Sequence, residues 1–274
     1  MIMGGYSIGK NTVFSPRTGP NTRVGFLDET RGLCIILMVL YHALFNVVFI
    51  FGWDVTFSGG TQMFHSLWYL TAMRFAQPFV AGIFIFISGI ACRYSRSNLK
   101  RGAIVLALGI CISIVIQLFI PELAIYFGIL HFMGSAMIIF ALLNRTLDKI
   151  TPSMGLLICA FLFVFTFNVP YGFFGIPGLW TLSVPAGWYE IRWLIPLGFA
   201  AAGSDFFPLM PWLFLFLCGS FLGVAFVQRE MPGFFYRDRS RFLAVTGKRT
   251  IYIYLLHQPV LFGLMYGIDL LLRH

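Results

Sequence analysis

Residues 33–52 read LCIILMVLYHALFNVVFIFG, twenty positions without one charged side chain, in which His42 and Asn46 are the strongest polar groups. As a helix rising about 1.5 Å per residue, this stretch is about 30 Å long, the thickness of a bilayer's hydrocarbon core. Six further stretches of similar character follow, near 73–92, 102–120, 123–143, 153–170, 206–227 and 250–272. The 274-residue chain is 59% hydrophobic and 11% charged, against about 25% charged in a soluble globular domain. Its mean hydropathy is +0.86. These figures exclude a soluble enzyme, a disordered chain, a collagen and, despite the net charge of +9, a nucleic-acid module. The fold class they imply is an all-α, polytopic transmembrane helical bundle of about seven spans.

The cations fix an orientation. Lys10, Arg17, Arg23 and Arg31 lie at or before the first span. Arg93, Arg96, Lys100 and Arg101 lie in the second connection, Arg145 and Lys149 in the fourth, and Arg229, Arg237, Arg239, Arg241, Lys248 and Arg249 in the sixth. Only Arg74, Arg192 and Arg273 fall on the other side, so the positive-inside rule puts the N-terminus in the cytoplasm and the C-terminus outside. Residues 1–22 read as a polar cytoplasmic leader without a cleavable signal, and 23–274 as one transmembrane domain. Residues 171–205, rich in aromatics and broken by Pro177, Pro185 and Pro196, read as a structured outer segment with room for a half-length helix near 191–203. An eighth full span there would carry the six-cation loop to the wrong side. All six tryptophans (53, 68, 180, 188, 193 and 212) fall toward the outer face, as an aromatic belt or as a stacking surface for a sugar-like acceptor.

Polar groups inside spans are costly and therefore candidates for function. His42, His131 and His257 are such groups; His65 and His274 lie outside the spans. Arg31 precedes His42 by eleven residues. Three helical turns plus about 20° put both on one face, about 16 Å apart along the axis. A ligand with an anionic head and a long thin arm fits that line, and coenzyme A is one. The structural alternatives are a snorkelling Arg31 and a His42 bonded across helices as packing glue. Asp28 caps the helix or pairs with Arg31; Asn46, one turn past His42, orients its ring or binds an acceptor. Arg93, Arg96, Lys100 and Arg101 form a phosphate-binding candidate or an ordinary topogenic cluster. His257 precedes Pro259, which frees a backbone carbonyl and suggests a lined cavity beside a kink. His131 and His257 read equally as packing groups. Gly219 and Gly223 form a close-packing motif. The five cysteines (Cys34, Cys92, Cys111, Cys159 and Cys218) stand singly in apolar runs, without disulfide or metal spacing. No phosphate loop, nucleophile elbow, dinucleotide fingerprint or zinc-protease motif occurs.

Several blocks together resemble the heparan-α-glucosaminide N-acetyltransferase catalytic-domain family, in its bacterial members. They are Phe26-Leu-Asp28-Glu-Thr-Arg31-Gly32 with Met38-Val-Leu-Tyr-His42, Phe86-Ile-Ser-Gly89, Phe127-Gly-Ile-Leu-His131, Asp205-Phe-Phe-Pro-Leu-Met-Pro-Trp212 and Tyr254-Leu-Leu-His257-Gln-Pro259. The spacing from Arg31 to His42 is also similar to that of the wider group of membrane O-acyltransferases that modify cell-surface glycans. In that group the matching histidine is essential and a basic Arg-x3-Arg segment serves acyl-CoA; here Arg96-x3-Lys100 stands in its place. The resemblance implies a multi-pass enzyme of the cytoplasmic membrane. It would move an acyl group, in the first instance acetyl, from cytoplasmic acyl-CoA to a hydroxyl or amine of an extracytoplasmic, glycan-like acceptor. His42 would be the general base, with His257 and His131 orienting it or stabilising the oxyanion. Arg31, Arg96, Lys100 and Arg101 would hold phosphates, with no metal. Two departures stand out. The relatives usually have ten or more spans, and the eukaryotic enzyme's proposed catalytic histidine lies in the first outer loop, where His65 is the rival to His42. A solute transporter, a channel or a silent partner of a glycan-assembly complex is the alternative class.

Overall fold

A computed structural model describes residues 24–53, 71–95, 97–200 and 205–272. Among them, seven helices are long and apolar enough to cross a membrane. In chain order the helices are α1 (Gly25–Phe45), continued by a π-helical turn over Asn46–Ile50, α2 (Thr71–Cys92), α3 (Asn98–Phe119), α4 (Ile129–Leu147), α5 (Pro152–Thr166), α6 (Leu209–Gln228), the short α7 (Arg241–Lys248) and α8 (Thr250–Leu272). All but α7 span. The spans expected from hydropathy are therefore present, and two starts shift by more than a turn and a half. α1 begins eight residues early, because Leu27 and Glu29 are buried and Thr30 Oγ1 donates to the Phe26 carbonyl at 2.8 Å. α4 begins six residues late, because Pro121–Leu123 forms a 3-10 turn and the helix starts only after Gly128.

The outer segment departs from purely helical structure. A hairpin of β1 (Phe173–Ile176) and β2 (Trp180–Ser183) pairs Phe174 with Leu182, and its tight turn carries Gly178 at φ +83°. Over residues 191–200, the described part of the stretch with room for a half-length helix near 191–203, no α-helix forms. Arg192–Leu197 is a 3-10 helix, with Pro196 removing the donor a longer helix would need.

Without a hydrophobic drive between helices in lipid, close approach and polar pairing hold the bundle. α2 meets α6 where Gly89 faces the Phe216 carbonyl and Gly219 faces the Phe86 carbonyl; a side chain at either would collide with backbone. Gly223 likewise meets Ile90 and the Arg93 stem, so the close-packing motif does lie at a helix contact. Gly102 and Gly134 bring α3 onto α4, and Gly32 and Gly247 bring α1 onto α7. Phe132, Phe140, Phe216, Phe221 and Ile85 fill the core between α2, α4 and α6. The buried Glu29 carboxylate accepts from the backbone N–H groups of Arg239 and Ser240, tying α7 to the start of α1. Thus the 229–249 segment, read from sequence as a cationic loop, contains a helix docked on α1.

Arg93 belongs to this scaffold rather than to the phosphate-binding group in which the sequence reading placed it. Its guanidinium pairs with Asp148, donates through Nε to the Ser220 carbonyl at 2.9 Å and lies 5.1 Å from the Phe140 ring centroid. It thereby joins the ends of α2 and α4 to the middle of α6. Removing one partner of a buried pair costs about 3–5 kcal/mol, and the 34% exposure of Asp148 sets the lower end. Arg93→Ala should therefore lose about 3 kcal/mol in thermal or denaturant unfolding.

Candidate functional site, an intramembrane cavity with a cationic mouth

α1 packs on α2, α7 and α8, while α3 packs on α4. Between α1 and the α3–α4 pair lies a cavity of about 1160 Å³, above the roughly 300–1,000 Å³ of ordinary small-molecule pockets. Its walls come from five spans and α7. At the cation-rich end they include Asp28, Arg31, Ser95, Asn98, Arg101 and Lys248; further along come Met38, Tyr41, His42, Gln77, Asp205 and Tyr254. Arg31 and His42 therefore border the same space. They stand on one unbroken helix, and Arg31 is held to its face by Asp28 at 3.8 Å, one turn back.

The imidazole of His42 has a defined tautomer. Nδ1 lies 2.9 Å from the Met38 carbonyl, which can only accept, so Nδ1 carries the proton and Nε2 keeps its lone pair. His257 stands behind it, off the cavity wall, with ring centroids 4.9 Å apart and planes 70° to each other. The His257 Nδ1 is 2.6 Å from the Tyr254 carbonyl and so is also protonated; its Nε2 is buried without a partner among the described residues. His42 is thus backed edge-to-face by a second imidazole.

At the far end, Asp205 precedes α6 and meets the start of α4. Its Oδ2 accepts from the Ile129 backbone N–H at 3.3 Å and from the Tyr254 hydroxyl at 3.1 Å. The N-terminus of α4 favours a negative charge there. Burial nevertheless prevails and pushes the Asp205 carboxyl up to about 6, against the lowering effect of the Ile129 and Tyr254 bonds.

A family model described as heparan-alpha-glucosaminide N-acetyltransferase, catalytic, matches residues 23–259. The chain belongs to this family. Membership implies a membrane acyltransferase, and the match takes in every cavity residue named above. No curated protein and no solved structure shows significant similarity to the chain.

Within this heparan-alpha-glucosaminide N-acetyltransferase-type domain the candidate residues divide. Asp28, Arg31, Arg101 and His42 lie on the cavity wall, whereas Arg93 and the exposed Lys100 do not. Asn46 is wholly buried and donates to Gln258 Oε1 at 3.0 Å, locking α1 to α8. The Asn46 N–H still bonds the His42 carbonyl, so the one-turn spacing holds, and both side chains meet α8, His42 at His257 and Asn46 at Gln258. His131 is the third residue of α4, and its Nδ1 accepts the Gly128 backbone N–H at 3.3 Å. It caps a helix and does not line the cavity, so neither the oxyanion nor the ring-orienting role fits its position. Arg96, His65 and His274 lie outside the described residues. Among the described residues no cluster of three His, Cys, Asp or Glu has metal-binding geometry.

Sequence reasoning missed Lys248, Asp205, Tyr41, Gln77 and Tyr254. Lys248 reaches the mouth only because α7 docks on α1. Asp205 carried one signal, as a lone acid at the border of an apolar run.

The raised Asp205 carboxyl has a consequence for stability. A group that binds its proton more tightly folded than unfolded stabilises the fold below its unfolded value, near 3.8, and loses that contribution as pH rises through about 6. Asp205→Asn keeps an acceptor oxygen and removes the titration. Its melting temperature relative to wild type should therefore rise between pH 4 and pH 7.5; a constant difference across that range would contradict the assignment.

Proposed function

We propose that this chain transfers an acyl group, in the first instance acetyl, from cytoplasmic acyl-CoA to a hydroxyl or amine of a glycan-like acceptor on the other side of the membrane. The observation that carries the reading is the cavity itself, cationic at one end and lined by the His42 imidazole further in. Family membership supplies the reaction class. The positive-inside rule supplies the side from which the donor enters.

Arg31, Arg101 and Lys248 would hold the phosphates of the donor, with Ser95 and Asn98 beside them. Charge-assisted bonds of this kind are about twice as strong as neutral ones. The thin pantetheine arm would run along α1, past Cys34 and Met38, to place the thioester beside His42. There Nε2 takes the proton of the acceptor's X–H as X attacks the thioester carbon. The new C–X bond forms, the C–S bond breaks, and the thiolate takes the proton back from the imidazolium to leave as CoASH. Nδ1–H, donating to Met38, stabilises the imidazolium between those steps. An intramembrane route of this form is what an anionic donor requires, since its phosphates cannot enter hydrocarbon unpaired.

CoA at one hundred times its dissociation constant should stabilise the purified chain by about 2.7 kcal/mol, read as a thermal shift. Arg31→Ala and Arg101→Ala should each reduce that shift. His42→Ala should keep it and lose about 10²–10⁴ in acetyl transfer. No shift with millimolar CoA, or undiminished transfer by folded His42→Ala, would refute the reading.

A further inference from the structure

Among the described residues two carboxylates are on the cavity wall, Asp28 and Asp205. Asp28 pairs with Arg31 at the cationic mouth. Asp205 has no cationic partner among the described residues: it accepts from a peptide N–H and a tyrosine hydroxyl, both at Oδ2, and Oδ1 takes neither. The cavity is therefore electrically polar, with Arg31, Arg101 and Lys248 at one end and a lone acid elsewhere on the wall. That acid is tied to the imidazole through side chains of α8. Tyr254 bonds Asp205, the Tyr254 ring lies 5.4 Å from the His257 ring, and His257 lies 4.9 Å from His42. Asp205 itself sits at φ +55°, the left-handed region that few residues other than glycine occupy. It is held there by its bond to α4 and by the neighbouring bond from the Phe207 N–H to the Phe127 carbonyl at 2.9 Å.

We propose that Asp205 is the acceptor-binding carboxylate of this cavity, a role that rests on the acyltransferase reading above. Its Oδ1 takes a hydrogen bond from one N–H of an attacking amine, or from a hydroxyl next to the attacking one, and turns the attacking atom's lone pair onto the thioester carbon beside His42 while the X–H that is lost points to Nε2. The X–H proton that is lost goes to His42 Nε2 and from there to the CoA thiolate, so Asp205 binds the acceptor without a net change of its own protonation. The same charge repels anionic acceptors and keeps the donor's phosphates at the opposite, cationic end. A purely structural Asp205, capping α4 and bonding Tyr254, would have no effect on which acceptor is used.

The test uses the full chain in proteoliposomes with acetyl-CoA and three sugar probes of different charge: glucosamine, N-acetylglucosamine and glucuronic acid. Wild type should use glucosamine best and N-acetylglucosamine less, and should leave glucuronic acid unmodified. Asp205→Ala removes the cap of α4 and risks misfolding, so Asp205→Asn, which keeps an acceptor oxygen for Ile129 and Tyr254, is the informative variant. It should raise KM for glucosamine about 10- to 100-fold, the loss of one hydrogen bond to a charged group. It should leave KM for acetyl-CoA and the thermal shift with CoA unchanged, and narrow the gap between the two uncharged-or-cationic probes. Asp205→Glu should recover part of the glucosamine preference. Unchanged acceptor kinetics in Asp205→Asn, equal changes for acceptor and acetyl-CoA, or a wild-type preference for glucuronic acid would overturn the proposal. So would a wild-type chain that is stabilised by CoA yet modifies none of the three probes. A chain that neither responds to CoA nor transfers acetyl overturns the acyltransferase reading itself, and the role of Asp205 with it.

Discussion

The unbroken backbone of α1 is the constraint on which the rest depends. From Gly25 to Phe45 it makes a rigid ruler that holds a guanidinium at the membrane edge and an imidazole three turns deeper, both on the wall of one cavity. A phosphate cannot follow the imidazole into hydrocarbon, and an imidazole at the surface cannot exclude water from a thioester. In the proposed acyltransferase, separating the two groups along one helix would let each work in the medium it needs. The ruler is fixed at both ends. Gly32 and Gly247, with Glu29, bind it to α7 at the cationic end, and Asn46 with Gln258 binds it to α8 beyond His42.

Around that ruler the bundle is built in two unlike ways. α2, α4, α5 and α6 pack tightly through glycine contacts and a phenylalanine core, locked by the Arg93–Asp148 pair. α1, with α8, stands across a cavity from α3 and α4. A dense scaffold on one side and an open space on the other is the arrangement a large ligand needs. The polar residues follow the division: those of the scaffold have protein partners, while Arg31, Arg101, Lys248 and His42 have a face toward the cavity.

The seven spans were legible because span length and hydropathy are local properties, set by the bilayer and not by neighbours. The alignment of Arg31 with His42 was legible for the same reason, since both lie within one regular helix. What escaped depends on contacts between distant parts of the chain. Asn46 keeps the one-turn spacing from His42, but Gln258, two hundred and twelve residues on, takes its amide. Arg93 sits among phosphate-type cations in sequence, yet Asp148, fifty-five residues on, claims it. His131 looks like a buried functional imidazole until the late start of α4 makes it a cap. Asp205 and Lys248 reach the cavity only through the outer segment and the docking of α7, neither of which has a periodic signature. Where 191–203 had room for a half-length helix, Arg192–Leu197 forms a 3-10 helix around Pro196.

The most direct test of the account is a cryo-electron microscopy map of the chain with acetyl-CoA bound. The account predicts continuous ligand density inside the cavity, with phosphates against Arg31, Arg101 and Lys248 and the thioester carbonyl within about 3–4 Å of His42 Nε2, the near-attack range. Acetyl-CoA bound on any other surface, with His42 separated from it by packed side chains, would contradict it.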